Sequence, residues 1–154
     1  MNTIESIRKE NIGTLNELVE ITRDGANFFG EAANQVANPQ LKTIFSKMTD
    51  TKKQFVDALS KELQTAAVKP TTPSSQVQNT WHQLYADFRG KLTDKNLAFT
   101  GDVQTSEDRL LKAYDNVAHD QAVPTSVKNV VSTFLPTMHK QVELLRDRKW
   151  AAAA

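Results

Sequence analysis

The stretch Val36-Ala37-Asn38-Pro39-Gln40-Leu41 decides the architecture, because it leaves so little chain between two long amphipathic segments. Asn38 is suited to cap a helix, and Pro39 to stand in its first turn, where a missing N–H costs nothing. Upstream, over 2–36, residues Ile4, Ile12, Leu15, Leu18/Val19, Thr22, Ala26, Phe29, Ala33 and Val36 recur at the three-to-four spacing of one buried helix face. Gly13, Gly25 and Gly30 each weaken that helix by about 1 kcal/mol relative to alanine, while permitting close helix approach. Downstream, over 39–67, the seam is Leu41, Ile44/Phe45, Met48, Phe55, Leu59, Leu63 and Ala66. So short a connection predicts that the two helices form an antiparallel hairpin.

The second half of the chain repeats the arrangement. Residues 68–75, rich in proline, threonine and serine, read as a linker. An amphipathic piece over 76–91 carries Trp81, Leu84, Tyr85 and Phe88, and a third long helix is predicted over 95–120 through Leu97, Val103, Leu110/Leu111, Tyr114 and Val117. Thr100-Gly101-Asp102 is its weakest point, and Ser106 offers an alternative start. After the turn at 121–124, a fourth helix runs to Lys149 through Val127, Val130/Val131, Phe134, Met138, Val142 and Leu145, with Pro136 inside it predicted to cause a kink. Four such stripes bury one another as an antiparallel four-helix bundle of two hairpins. A 28-residue helix is about 42 Å long, so the 76–91 helix covers much of the return path, with Trp81 and Phe88 expected over the outside of the bundle. Residues 1–150 read as one domain, and 151–154 as a terminal tail without function.

Composition narrows the chemistry. The 154 residues contain no cysteine, which excludes disulfides, thiolate catalysis and cysteine-ligated metal centres. Nineteen basic and eighteen acidic side chains give a net charge of +1, without a global field to attract nucleic acid or an anionic membrane. Lys140, Arg146, Arg148 and Lys149 are interrupted by Glu143 and Asp147, so they read as complements to a helix dipole rather than as a nucleic-acid patch. Phosphate-binding glycine motifs and nucleophile turns are absent. The first ten residues lack the pattern of a secretory signal, and no apolar run approaches the roughly 20 residues of a membrane span. A cytoplasmic location is the resulting expectation.

One run, Thr22-Arg23-Asp24-Gly25-Ala26-Asn27-Phe28-Phe29-Gly30-Glu31-Ala32-Ala33, is followed by Asn38-Pro39-Gln40-Leu41 and Phe45. Together with Phe55, Glu62-Leu63, Trp81, Glu107-Asp108 and Ala113-Tyr114, it resembles a family of largely uncharacterised bacterial proteins with a ferritin-like four-helix bundle. The resemblance covers most of 10–149 and is loosest in the last helix. It implies an all-α, ferritin-like antiparallel bundle with a short additional helix in the crossover, and an unknown or stress-associated role.

Dimetal bundles draw carboxylates from all four helices and add Glu-x-x-His pairs on two of them. Counting outward from the two turns sets Asp24, Asp50, Glu107 and His139 in one middle layer, an oxygen and nitrogen donor set that iron or manganese would accept. Glu31 and Glu143 are the nearest further donors. Against this stand Lys53, where a histidine is wanted, and Pro136, where a carboxylate is wanted. Glu107 lies between Val103 and Leu110 in a core seam, where a carboxylate needs a partner or a raised pKa. The leading reading is a nonenzymatic structural or interaction protein without a cofactor, acting as a homo-oligomer or on a protein partner through Trp81, Tyr85 and Phe88. A degenerate metal-binding or oxidoreductase bundle is the alternative.

Overall fold

The computed structural model describes the backbone of residues 3–66 and 75–152, and side chains over 15–66 and 80–151. Six helices follow in order: α1 (Thr3–Gln35), α2 (Pro39–Thr65), α3 (Ser75–Arg89), α4 (Phe99–His119), α5 (Thr125–Arg146) and α6 (Lys149–Ala152). The long helices α1, α2, α4 and α5 form the all-α, four-helix-bundle core expected from the stripes. α1 packs on α2, α4 on α5 and α2 on α5, whereas α1 and α4 meet much less. α3 lies along α1 and carries the chain back towards the start of α4. The order is therefore up, down, down, up, with a helix in the long connection. Residues 67–74, which take in all of the expected linker but Ser75, the first residue of α3, lie outside the described residues, as do the side chains of Ile4 and Ile12.

The decisive turn behaves as its residues require. Asn38 Oδ1 accepts from the backbone N–H of Gln40 and of Leu41, each at 3.0 Å, which satisfies two otherwise orphaned donors of α2. Its Nδ2 donates to the carbonyl of Trp150 at 2.9 Å, so one side chain caps α2 and ties α6 to the turn. Asn38→Ala is expected to cost about 1–2 kcal/mol. Urea denaturation should show a lower midpoint at unchanged slope, and an unchanged midpoint would refute this double role.

Several boundaries differ from expectation for local reasons. α4 starts at Phe99 rather than near Lys95, after Leu97 takes a left-handed φ of 53°. It then runs unbroken through Gly101 and Ser106, whose hydroxyl donates to the carbonyl of Asp102 at 3.0 Å, so no separate helix begins there. α5 continues through Pro136 and stops at Arg146, where Arg148 reverses the chain with a φ of 55°. That reversal seats Trp150 in the core, with its Nε1 donating to the carbonyl of Leu145 at 3.3 Å. Ala151 and Ala152, expected in a tail, belong to α6, and 153–154 lie outside the described residues.

The apolar interior is divided into two halves. One gathers Leu15, Leu18, Phe55, Leu110, Tyr114, Val131 and Met138 among others. The other gathers Phe28, Phe29, Phe45, Met48, Tyr85, Val103 and Trp150. Between them, at the same height on each long helix, stand Thr22 and Gly25, Thr49 and Lys52, Ser106 and Glu107, and Gln141. Trp81 packs against both halves.

Candidate functional site

The polar layer is centred on an ion pair. Lys52 Nζ of α2 lies 2.7 Å from Glu107 Oε1 of α4, and both residues are almost completely buried, at 4% and 3% exposure. Lys52 occupies the interval between Met48 and Phe55 in the α2 seam, and Glu107 the interval between Val103 and Leu110 in the α4 seam. These two helices run in the same direction on opposite corners of the bundle, so the charges meet across its centre. The Lys52 ammonium also stands 5.6 Å from the centroid of the Phe29 ring, within the range of a cation–π contact. Gln141 of α5 braces α2, its Nε2 donating to Thr51 Oγ1 at 2.8 Å and to the Lys47 carbonyl at 3.4 Å.

α3 reaches this layer through a notch. The Tyr85 hydroxyl donates to Glu107 Oε2 at 3.4 Å, a long hydrogen bond, and the ring stacks on Phe28 with centroids 5.5 Å apart. A Cβ at Gly25 would stand 2.8 Å from that hydroxyl oxygen and 3.3 Å from Lys52 Cδ, so glycine here is required by space. Burial, reinforced by the neighbouring Glu107 charge, pushes the Tyr85 hydroxyl well above its ordinary pKa. It therefore remains protonated and serves Glu107 as a donor. Burial likewise raises Tyr114, which hydrogen-bonds Thr22 Oγ1, while the Thr22 hydroxyl donates to the Leu18 carbonyl at 2.7 Å. Tyr85 thus ties α3 to the layer through Glu107, and Tyr114 ties α4 to α1 through Thr22.

The donor set read from the sequence does not converge in this arrangement. Of Asp24, Asp50, Glu107 and His139, only Glu107 points into the layer. Asp24 is half-buried and faces α3, 3.5 Å from His82 Nδ1. Asp50 is exposed, because the buried face of α2 passes through Met48, Thr49 and Lys52. His139 is exposed beside buried Met138, with Nε2 at 3.4 Å from Asp115 Oδ2 of α4. Glu31 pairs with Arg89, and Glu143 with Arg146. Among the described residues, no group of three or more His, Asp or Glu side chains is placed to hold a metal ion.

The aromatic trio also requires correction. Tyr85 and Phe88, expected in an exposed interaction cluster, are 1% and 2% exposed, and Trp81 is half-buried against the core. They are the inward face of α3, filling the seam that α1 and α4 leave between them. Exposed large apolar side chains among the described residues come down to Leu144, beside a shallow groove lined by Ile44, Lys47, Asp147 and Trp150. Lys52, Thr22, Tyr114 and Gln141 are site residues that the linear reading missed. The signal for Lys52 was a cation falling on a seam position level with a seam carboxylate.

Fold and site together define a helical bundle whose central carboxylate is neutralised by a lysine of its own chain. The chain belongs to the DUF2383 family, described as a domain of unknown function, which matches residues 10–120. That span contains Gly25, Lys52, Tyr85 and Glu107 and ends before α5. Comparison with curated proteins and with solved structures gives no match. No helix among the described residues is long and apolar enough to cross a membrane.

Proposed function

We propose that this chain is a nonenzymatic helical structural or interaction protein whose internal polar layer serves the bundle itself. The observation carrying this reading is the direct Lys52–Glu107 pair. A carboxylate already bound to an ammonium 2.7 Å away, and to a tyrosine donor, has much of its charge and hydrogen-bonding capacity engaged. The up, down, down, up order with a helix in the crossover supports a ferritin-like relationship. With it the reading extends to a cytoplasmic, stress-associated bacterial protein acting as a homo-oligomer or on a protein partner.

Metal analysis tests the proposal directly. Protein purified without chelator is expected to carry no stoichiometric metal, and iron(II), manganese(II) and zinc(II) at micromolar concentration should show no saturable uptake. Uptake near one ion per chain that disappears in Glu107→Ala/His139→Ala would overturn it in favour of an iron or manganese bundle. Light scattering on the eluting protein separates a homo-oligomer from a monomer that works with another protein.

A further inference from the structure

We propose that a small cavity beside the ion pair is a binding site for a single water molecule, which completes the hydrogen bonding of the Lys52 ammonium. The cavity measures about 10 Å³ and is bordered by Lys52, Glu107, Tyr114 and Gln141 together with apolar side chains including Met138 and Val142. That is close to the room one water needs, and a water is retained where two to four polar partners surround it.

The donor and acceptor balance leads to the same molecule. An ammonium has three N–H groups, and among the described residues Lys52 Nζ meets the acceptor Glu107 Oε1 at 2.7 Å. The Phe29 face, 5.6 Å away, accepts no conventional hydrogen bond. Glu107 retains lone pairs beyond those used by Lys52 and the long Tyr85 contact. With the Gln141 amide nitrogen committed to Thr51 and Lys47, its carbonyl oxygen remains a natural acceptor for a water proton. A water accepting from Lys52 and donating to Glu107 or Gln141 uses donor and acceptor capacity that their described contacts leave over. A second cation fits this site poorly, because Lys52 already supplies a positive charge.

The test uses the sign of a cavity-filling effect. Val142→Ile adds one methyl group to the cavity wall. In the wild-type background it should expel the water and lower the melting temperature by about 3 °C. In Lys52→Met/Glu107→Leu/Tyr85→Phe, where the layer is apolar, the same substitution should raise the melting temperature by filling an empty space. The same sign in both backgrounds would overturn the proposal, since simple overpacking or simple filling acts without regard to Lys52. A crystal structure of the wild type supplies an independent reading and decides the matter should the triple variant fail to fold. Density for one water within hydrogen-bond distance of Lys52 Nζ is expected. An empty cavity, in a map that resolves other buried waters, would refute it.

Discussion

Lys52→Met is expected to remove about 3–5 kcal/mol of folding stability, the usual consequence of deleting one partner of a buried ion pair. Methionine fills much of the lysine volume, so lost packing explains little of that effect. The cause is Glu107, left in the bundle centre with the long Tyr85 contact as its remaining described polar partner. The double variant Lys52→Met/Glu107→Leu should recover part of the loss, because two apolar groups of similar size end the desolvation cost of the charges while the buried Tyr85 hydroxyl loses its Glu107 acceptor. Chemical denaturation of the wild type, both single variants and the double variant closes the cycle. A cost below about 1 kcal/mol for Lys52→Met would mean that the pair behaves like a solvated surface bridge. Its burial between the two apolar halves would then have no energetic consequence.

Gly25→Ala should destabilise by about 1–3 kcal/mol, the range for forcing an extra carbon into a packed interior. In an ordinary helix interior the same change gains up to about 1 kcal/mol, so the sign itself is diagnostic. The added Cβ would lie 2.8 Å from the Tyr85 hydroxyl oxygen, closer than such atoms can remain. Either Tyr85 withdraws from Glu107 or α3 moves away from α1. Combination with Tyr85→Phe distinguishes this cause from general crowding. Phenylalanine removes the oxygen at 2.8 Å and leaves ring and Lys52 carbons near 3.3 Å, so the two changes together should cost less than their sum. Strict additivity would show that the notch does not act through the tyrosine hydroxyl.

The axial level of the central layer was legible before its composition. Counting from Asn38 and from the second turn set Asp24, Asp50, Glu107 and His139 at one height, and the observed layer lies at that height. Its members are instead Gly25, Lys52, Glu107 and Gln141, each within two positions of a predicted donor. On a helix one position is a rotation of 100° and two are 200°, enough to carry a side chain from core to solvent. Counting from a turn measures distance along the axis well and the angle about it poorly. Flanking Val103 and Leu110 constrain the angle of Glu107. Lysine is so rarely buried unless paired that the core position of Lys52 follows only once Glu107 is known to face it.

The α3 aromatics show the same division. Trp81, Tyr85 and Phe88 announce an amphipathic face, and no local rule states whether that face covers its own bundle or another protein. The weak meeting of α1 and α4 settles it, because that seam exposes Phe28 and Glu107 to whatever lies above it. Apolar periodicity and the Asn38-Pro39 cap by themselves determined the long helices, the antiparallel hairpins and the helical crossover, since these depend on short-range spacing and on satisfying helix ends. Only the tertiary structure decided which helix rotation faces inward, that Lys52 meets Glu107, and that Tyr85 enters through Gly25. Those outcomes depend on packing among residues 22 to 92 positions apart, where shape and the cost of burying charge select among rotations that local sequence leaves nearly equivalent.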